Sequence, residues 1–203
     1  MTNILNAISR LESYLAREQP DFFNALLPGL TIHEIDNLVI SFPYRLPLEV
    51  YELYKWRNGI DLTVGDNLSF RFYPHSPFFS PLEFCMREYQ DLMELKTLDG
   101  IDDEELDSKW FPIISFDKTF SLTIGNLIQQ PVAEIIYIFA HDDWSVSPSY
   151  ESLTAQLLTI TECLEEGIYY LDRKGDFQSK TTREEEIHRK YNPSAKYDDV
   201  RIV

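Results

Sequence analysis

In EIIYIFA (134–140), every position after Glu134 is apolar, in succession instead of alternation. The run is far shorter than the roughly 20 residues a membrane-spanning helix needs. A β-strand points successive side chains to opposite faces, so a strand of this composition has to be covered on both. It therefore predicts a central strand, and with it a sheet around which the rest of the chain must pack.

The flanking segments supply that sheet. WFPIISF (110–116) and TFSLTIG (119–125) are separated only by Asp117-Lys118, and the second places Phe120, Leu122 and Ile124 on one side. So short a connection predicts an antiparallel hairpin. NLSFRFYP (67–74) alternates Leu68, Phe70 and Phe72 against Ser69, Arg71 and Tyr73, which predicts a further half-buried strand.

Helical spacing dominates elsewhere. Ile4, Ile8, Leu11 and Leu15 recur at steps of four, three and four, with Thr2 or Asn3 placed to cap the helix and Pro20 behind it. TIHE (31–34) has capping-box spacing and starts a helix at Ile32; NLVISF (37–42), just after it, also suits a strand. SPLE (80–83) joins the same box to a proline at the first helical position, predicting a helix to about Leu95. SPSYESLTAQLLTITECLEEG (147–167) reads as a long serine-capped helix with Leu153, Leu157, Ile160 and Leu164 on one face.

The fold expected over residues 1–171 is α+β: a mostly antiparallel sheet of about four to six strands, with helices packed on one side. Residues 172–203 read as a polar extension. It holds one short helix, from about Arg183 to Tyr191, lying loosely on the body or on a partner chain with its basic pairs along the acidic surface.

The chain of 203 residues carries a net charge of −16, unevenly placed. Residues 172–203 hold 8 of the 18 basic and 7 of the 34 acidic residues, leaving 1–171 at −17. Such a body repels a phosphate backbone, which argues against nucleic-acid binding, and attracts a basic partner. The N-terminus lacks the basic start and long apolar run of a signal peptide, and no stretch is long enough for a membrane anchor, so the cytoplasm is the expected compartment. Cys85 and Cys163 stand alone without metal-ligand spacing and read as structural thiols; no cofactor is implied.

LPLEVYELYKWRNG (46–59) reads as a helix over about 47–58. Pro47 suits the first turn, Val50, Leu53 and Tyr54 share one face, and Asn58-Gly59 supplies a left-handed stop. Trp56 and Arg57 fall off that face and are candidates for contact with a partner.

Taken in order and rough spacing, this segment, the 67–74 strand with the SPLEF helix start, WFPIISFD, PVAEIIYIF and the late serine-capped helix resemble the SUKH superfamily over about residues 25–171. Leu46, Pro47, Leu53, Tyr54, Asn58 and Gly59 stand where that family's pattern expects them. The family groups fungal Smi/Knr-type cell-wall-assembly regulators with bacterial proteins that include immunity proteins of polymorphic toxin systems. The resemblance implies an α+β interaction module without enzymatic chemistry, used by different members for different protein partners.

Three further stretches bear on function. HDDW (141–144) sets His141 beside Asp142 and Asp143, a possible metal or acid–base group, although neighbours on extended chain point apart. A solvated turn is the favoured reading, with Trp144, Asp142 and Asp143 as candidate partner contacts. In FYPHSPFFSP (72–81), Tyr73, Phe78 and Phe79 read as a satellite core under the sheet or as aromatic anchors of a binding face. The acidic run DGIDDEELD (99–107), with Asp102, Asp103, Glu104 and Glu105, lacks the glycine and ligand order of a calcium loop and is a solvated face or a charge match for a basic partner.

The expectation is a non-enzymatic protein-binding module, in its sharpest form an immunity protein that neutralises a basic toxin domain such as a nuclease. The alternatives are a housekeeping scaffold or regulator of the Smi/Knr type and, less favoured, a metal-assisted hydrolase at His141, Asp142 and Asp143.

Overall fold

The computed structural model describes residues 3–65, 79–102, 106–116, 119–139, 145–172 and 177–195. In chain order these form α1 (Ile4–Glu18), α2 (Pro20–Asn24), β1 (Leu26–Pro28), α3 (Ile32–Leu38), α4 (Leu48–Trp56), β2 (Arg57–Ile60), α5 (Leu62–Gly65) and α6 (Leu82–Asp99). Then follow β3 (Trp110–Phe116), β4 (Thr119–Ile124), β5 (Ile135–Phe139), β6 (Ser145–Tyr150), α7 (Leu153–Glu165), β7 (Tyr170–Leu171), β8 (Phe177–Gln178) and α8 (Thr181–Tyr191). The fold is α+β. The strand expected at 67–74 lies outside the described residues.

The main sheet is antiparallel in the order β3-β4-β5-β6, four strands at the small end of the expected range; β1-β2 and β7-β8 are separate two-stranded ribbons. β5 lies between β4 and β6, as its double-sided apolar composition requires. Register pairs Leu122 with Ile136 and Phe120 with Ile138, so these four share one face. That face packs on Leu92 of α6 and on Leu106. The opposite face carries Ser121, and Gln156 of α7 donates to the Ser121 hydroxyl at 3.3 Å. Helices therefore cover both faces, which corrects the one-sided packing expected.

Two further readings are corrected. Ser147 and Pro148 do not begin the long helix; they lie in β6, at the edge of the sheet, where a residue without N–H is tolerated. The helix starts at Leu153, with Ser152 accepting from the Ala155 amide at 3.1 Å. NLVISF forms no strand: α3 ends at Leu38 and turns follow, burying Phe42 edge-on against Tyr89 at 5.0 Å. α3 itself begins with the expected capping box, and Asn3 caps α1.

The segment 54–60 organises the start of α6. That helix has Pro81 at its cap position and receives no side-chain cap from Ser80, whose hydroxyl instead faces that of Ser115 at 3.3 Å. The cap comes from a distance. Asn58 Oδ1 accepts from the Leu82 amide at 2.9 Å while its Nδ2 donates to Glu83 Oε2 at 3.0 Å. Tyr54 donates its hydroxyl to the Ser80 carbonyl at 3.1 Å, and the Ile60 amide donates to that of Phe79 at 2.8 Å. Gly59 is thus no helix stop. α4 ends at Trp56 because Arg57 turns extended, and Gly59 lies inside β2 at φ +74°. A Cβ there would sit 2.4 Å from the Pro81 nitrogen and the Ser80 carbonyl carbon.

α8 is not a loose appendage. Ile187 is fully buried in the same core as Leu11 of α1 and Leu157 of α7. Asn192 accepts from the Glu151 amide at 3.0 Å and donates to Thr159 Oγ1 at 3.3 Å. Its basic residues do lie along acids of α7 and its end: Lys190 meets Glu162 at 2.6 Å and Arg183 meets Glu166 at 3.0 Å. Both cysteines are buried free thiols, pushed by burial up to about 12.

Asn58→Ala leaves the Leu82 amide buried without an acceptor and should cost roughly 1–3 kcal/mol in chemical denaturation. Gly59→Ala should cost at least as much, because the backbone at 80–81 has to move in addition to the strain of a left-handed residue. Burial pushes the Glu162 carboxyl up, but hydrogen bonds from Lys190 and Tyr191 and the charge of Arg10 more than offset it and leave it below its ordinary value. A depressed carboxyl stabilises the fold above its unfolded pKa and loses that contribution as pH falls through the folded one. Thermal melts should therefore show Glu162→Gln less stable than wild type by roughly 1–2 kcal/mol at neutral pH, the gap closing as pH falls below the ordinary carboxylate range.

Candidate protein-binding surface

The N-terminal end of α4 is satisfied by the connection between β4 and β5. Pro47 sits at the cap position without a side-chain cap, and the first helical amide, Leu48, donates to the Gln130 carbonyl at 2.9 Å. Arg45 and Asn126 exchange backbone hydrogen bonds at 2.7 and 3.1 Å. The Gln129 side chain donates to the Leu46 carbonyl at 3.1 Å. These four bonds pin the loop at both shoulders. Between the shoulders, Leu127 and Ile128 stand 78 % and 75 % exposed.

They line a groove of about 480 Å³ with Ile32 of α3 and Leu48 of α4. Its polar wall is Asp36, Arg45, Tyr51, Glu52 and Lys55. Tyr51 donates to Asp36 at 2.7 Å; burial and that carboxylate push its phenol up to about 12, so it stays a neutral donor at physiological pH. Glu52 and Lys55 pair at 2.8 Å. A second hollow of about 360 Å³, lined by Ile40, Pro43 and Tyr44 among others, adjoins the first and shares Asp36, Arg45 and Tyr51 with it. Of the eleven large apolar side chains exposed among the described residues, five line these two hollows. Lone exposed aliphatics are ordinary, whereas a cluster at a concave site marks an interaction surface.

The residues singled out in the sequence are placed otherwise. Trp56 is half-buried and stacks on Phe79 at 6.5 Å, and the Arg57 guanidinium lies over Phe23 at 5.0 Å, so both are engaged inside the molecule. Phe79 is fully buried, which corrects its reading as a surface anchor and leaves the satellite-core one. Asp102 is exposed, with its carbonyl accepting from the Leu106 amide. Tyr73, Phe78, Asp103, Glu104, Glu105 and the whole of His141–Trp144 lie outside the described residues. Leu46, Pro47, Leu53, Tyr54, Asn58 and Gly59 are all buried, as a scaffold motif requires. Among the described residues no cluster of His, Cys, Asp and Glu is placed to hold a metal, and no helix is long and apolar enough to cross a membrane.

Sequence reasoning missed Ile32, Leu48, Leu127 and Ile128. The available signal was NLIQQPV (126–132), where two adjacent aliphatics fall in a connection between strands, outside any alternating pattern. No family model matches this chain, and neither does any curated protein.

Because the loop is held through its backbone and not through its two aliphatic side chains, Leu127→Ser with Ile128→Ser should leave stability within about 0.5 kcal/mol of wild type, measured by denaturant unfolding.

Proposed function

We propose that this chain is a non-enzymatic protein-binding module whose binding face is the groove between α3, α4 and the 126–130 loop. The observation that carries this reading is the pinned loop, which holds two large aliphatic side chains in water at a fixed position. Such side chains, presented rigidly beside a groove, are what a partner buries at the centre of an interface, with little ordering cost on this side. The charge of −17 over residues 1–171 gives the partner its sign and favours rapid encounter with a basic protein.

Together with the resemblance to the SUKH superfamily, this charge supports the sharper form of the proposal. The chain is an immunity protein that occupies a basic toxin domain, its carboxylates standing where the toxin would grip phosphate. Its setting is then the cytoplasm of the cell that makes the toxin. The test is to purify the chain with a basic toxin domain encoded beside its gene. The expected results are a tight complex, rescue of growth on co-expression, and weaker binding as salt is raised. No toxin neighbour and no complex overturn the immunity form; a deletion phenotype without toxin challenge would point to a housekeeping regulator instead.

A further inference from the structure

We infer that the groove takes a segment of a basic protein that presents adjacent aliphatic or aromatic side chains flanked by lysine or arginine. This rests on the binding-module reading above and adds what fills that groove. The apolar part follows from the walls. Ile32 and Leu48 face Leu127 and Ile128 across about 480 Å³, a volume within the roughly 300–1,000 Å³ of clefts that enclose a compact ligand.

The basic flank follows from the charge of the body around the groove, −17 over residues 1–171. In the groove lining, Asp36 and Glu52 stand with Lys55, and Lys55 is already paired with Glu52. Arg45 adds one positive charge at the junction of the two hollows. An incoming segment therefore meets aliphatic carbon in a lining whose own charges balance, on a body that attracts its lysines and arginines. The same charge selects against the other occupants: a second copy would bring another −16 to an acidic body, and anionic lipid or nucleic acid would be repelled.

The pinned loop makes the site specific as well as sticky. Its four hydrogen bonds run to residues 45–48, so Leu127 and Ile128 keep their distance from Leu48 whether or not a ligand is present. Preformed walls favour an occupant of defined shape, a short helix or turn, over an unstructured chain that would lose entropy on docking.

The test uses the full chain, isotopically labelled, and three synthetic 15-residue amphipathic peptides: one leucine/lysine, one serine/lysine of equal charge, one leucine/glutamate. The leucine/lysine peptide should move the amide resonances of residues 32–36, 48–55 and 126–130. Its affinity should fall at least tenfold in the folded Leu127→Ser, Ile128→Ser double variant and also in Ile32→Ser on the opposite wall. The serine/lysine peptide should bind at least tenfold more weakly, and the leucine/glutamate peptide should leave the groove resonances unmoved. Shifts confined to another surface, unchanged affinity in the double variant, or equal binding of the leucine/glutamate peptide would each overturn the inference. So would groove resonances that move on dilution of the protein alone, which would mean a second copy. A toxin complex of unchanged affinity in the double variant overturns the groove and leaves the protein-binding reading standing; the absence of any toxin complex, with the peptide result intact, overturns the immunity form and leaves the groove standing.

Discussion

The start of α6 has no cap of its own, and the rest of the structure is arranged around that deficiency. Proline at the cap position offers no side-chain acceptor, and a helix that begins inside the protein cannot leave its first amide to water. Asn58 supplies the acceptor from 24 residues away, and its other amide end holds Glu83, so both sides of one small side chain are committed. For Asn58 to reach, β2 must lie directly on residues 79–82, and only glycine at position 59 permits that approach. Tyr54, one helical turn earlier, fixes the same backbone through the Ser80 carbonyl. Shifting any of these three residues moves α6, and with it the Leu92 contact that covers the outer face of the sheet.

α7 is the complementary constraint. From Leu153 to Leu164 every residue is buried, although five of them are polar or charged, so each polar group needs an internal arrangement. Thr159 and Thr161 donate back to carbonyls four residues earlier, and Gln156 reaches the sheet at Ser121. Glu49 of α4 accepts from the Leu153 amide and the Thr154 hydroxyl, a carboxylate at the positive end of the helix. Burial nevertheless pushes the Glu49 carboxyl up, so this group opposes Glu162 in sign: its contribution grows as pH falls toward its ordinary range. Glu162 collects Lys190, Tyr191 and Arg10, tying α8 and α1 to one carboxylate. The buried helix thus selects which surfaces can pack on it through polar contacts as much as through apolar ones.

How far the sequence was legible follows the range of the interaction involved. Local signals translated directly: the spacing of Ile4, Ile8, Leu11 and Leu15, the Thr31–Glu34 box, the two-residue hairpin and the doubly apolar β5. Where a partner from elsewhere in the chain decided the outcome, local reading failed. Ser80 had the spacing of a cap, but Asn58 was better placed in three dimensions. Ser147-Pro148 looked like a helix start, yet the edge of the sheet took up that segment because an edge position tolerates proline. α8 looked too polar to belong to the core, since Ile187 is one apolar residue among charged neighbours. Its burial depends on Glu162 and Thr159 accepting from Lys190 and Asn192, and on the Glu151 amide donating to Asn192, which no local pattern encodes. The groove was missed for the same reason, because its four aliphatic residues come from three separate segments.

The segment 46–59 therefore works at both of its ends, and on different surfaces. Its C-terminal end, through Tyr54, Asn58 and Gly59, carries the internal joint with α6. Its N-terminal end, through the Leu46 carbonyl and the Leu48 amide, holds the 126–130 loop. A helix without a side-chain cap needs an acceptor for its first amide, and borrowing one from a loop fixes that loop in return. The exposed pair Leu127 and Ile128 is thus a consequence of how α4 begins: backbone bonds that complete the helix also prevent the loop from folding its aliphatic side chains inward. The property that identifies the segment as scaffold is the same one that gives the groove its rigid wall.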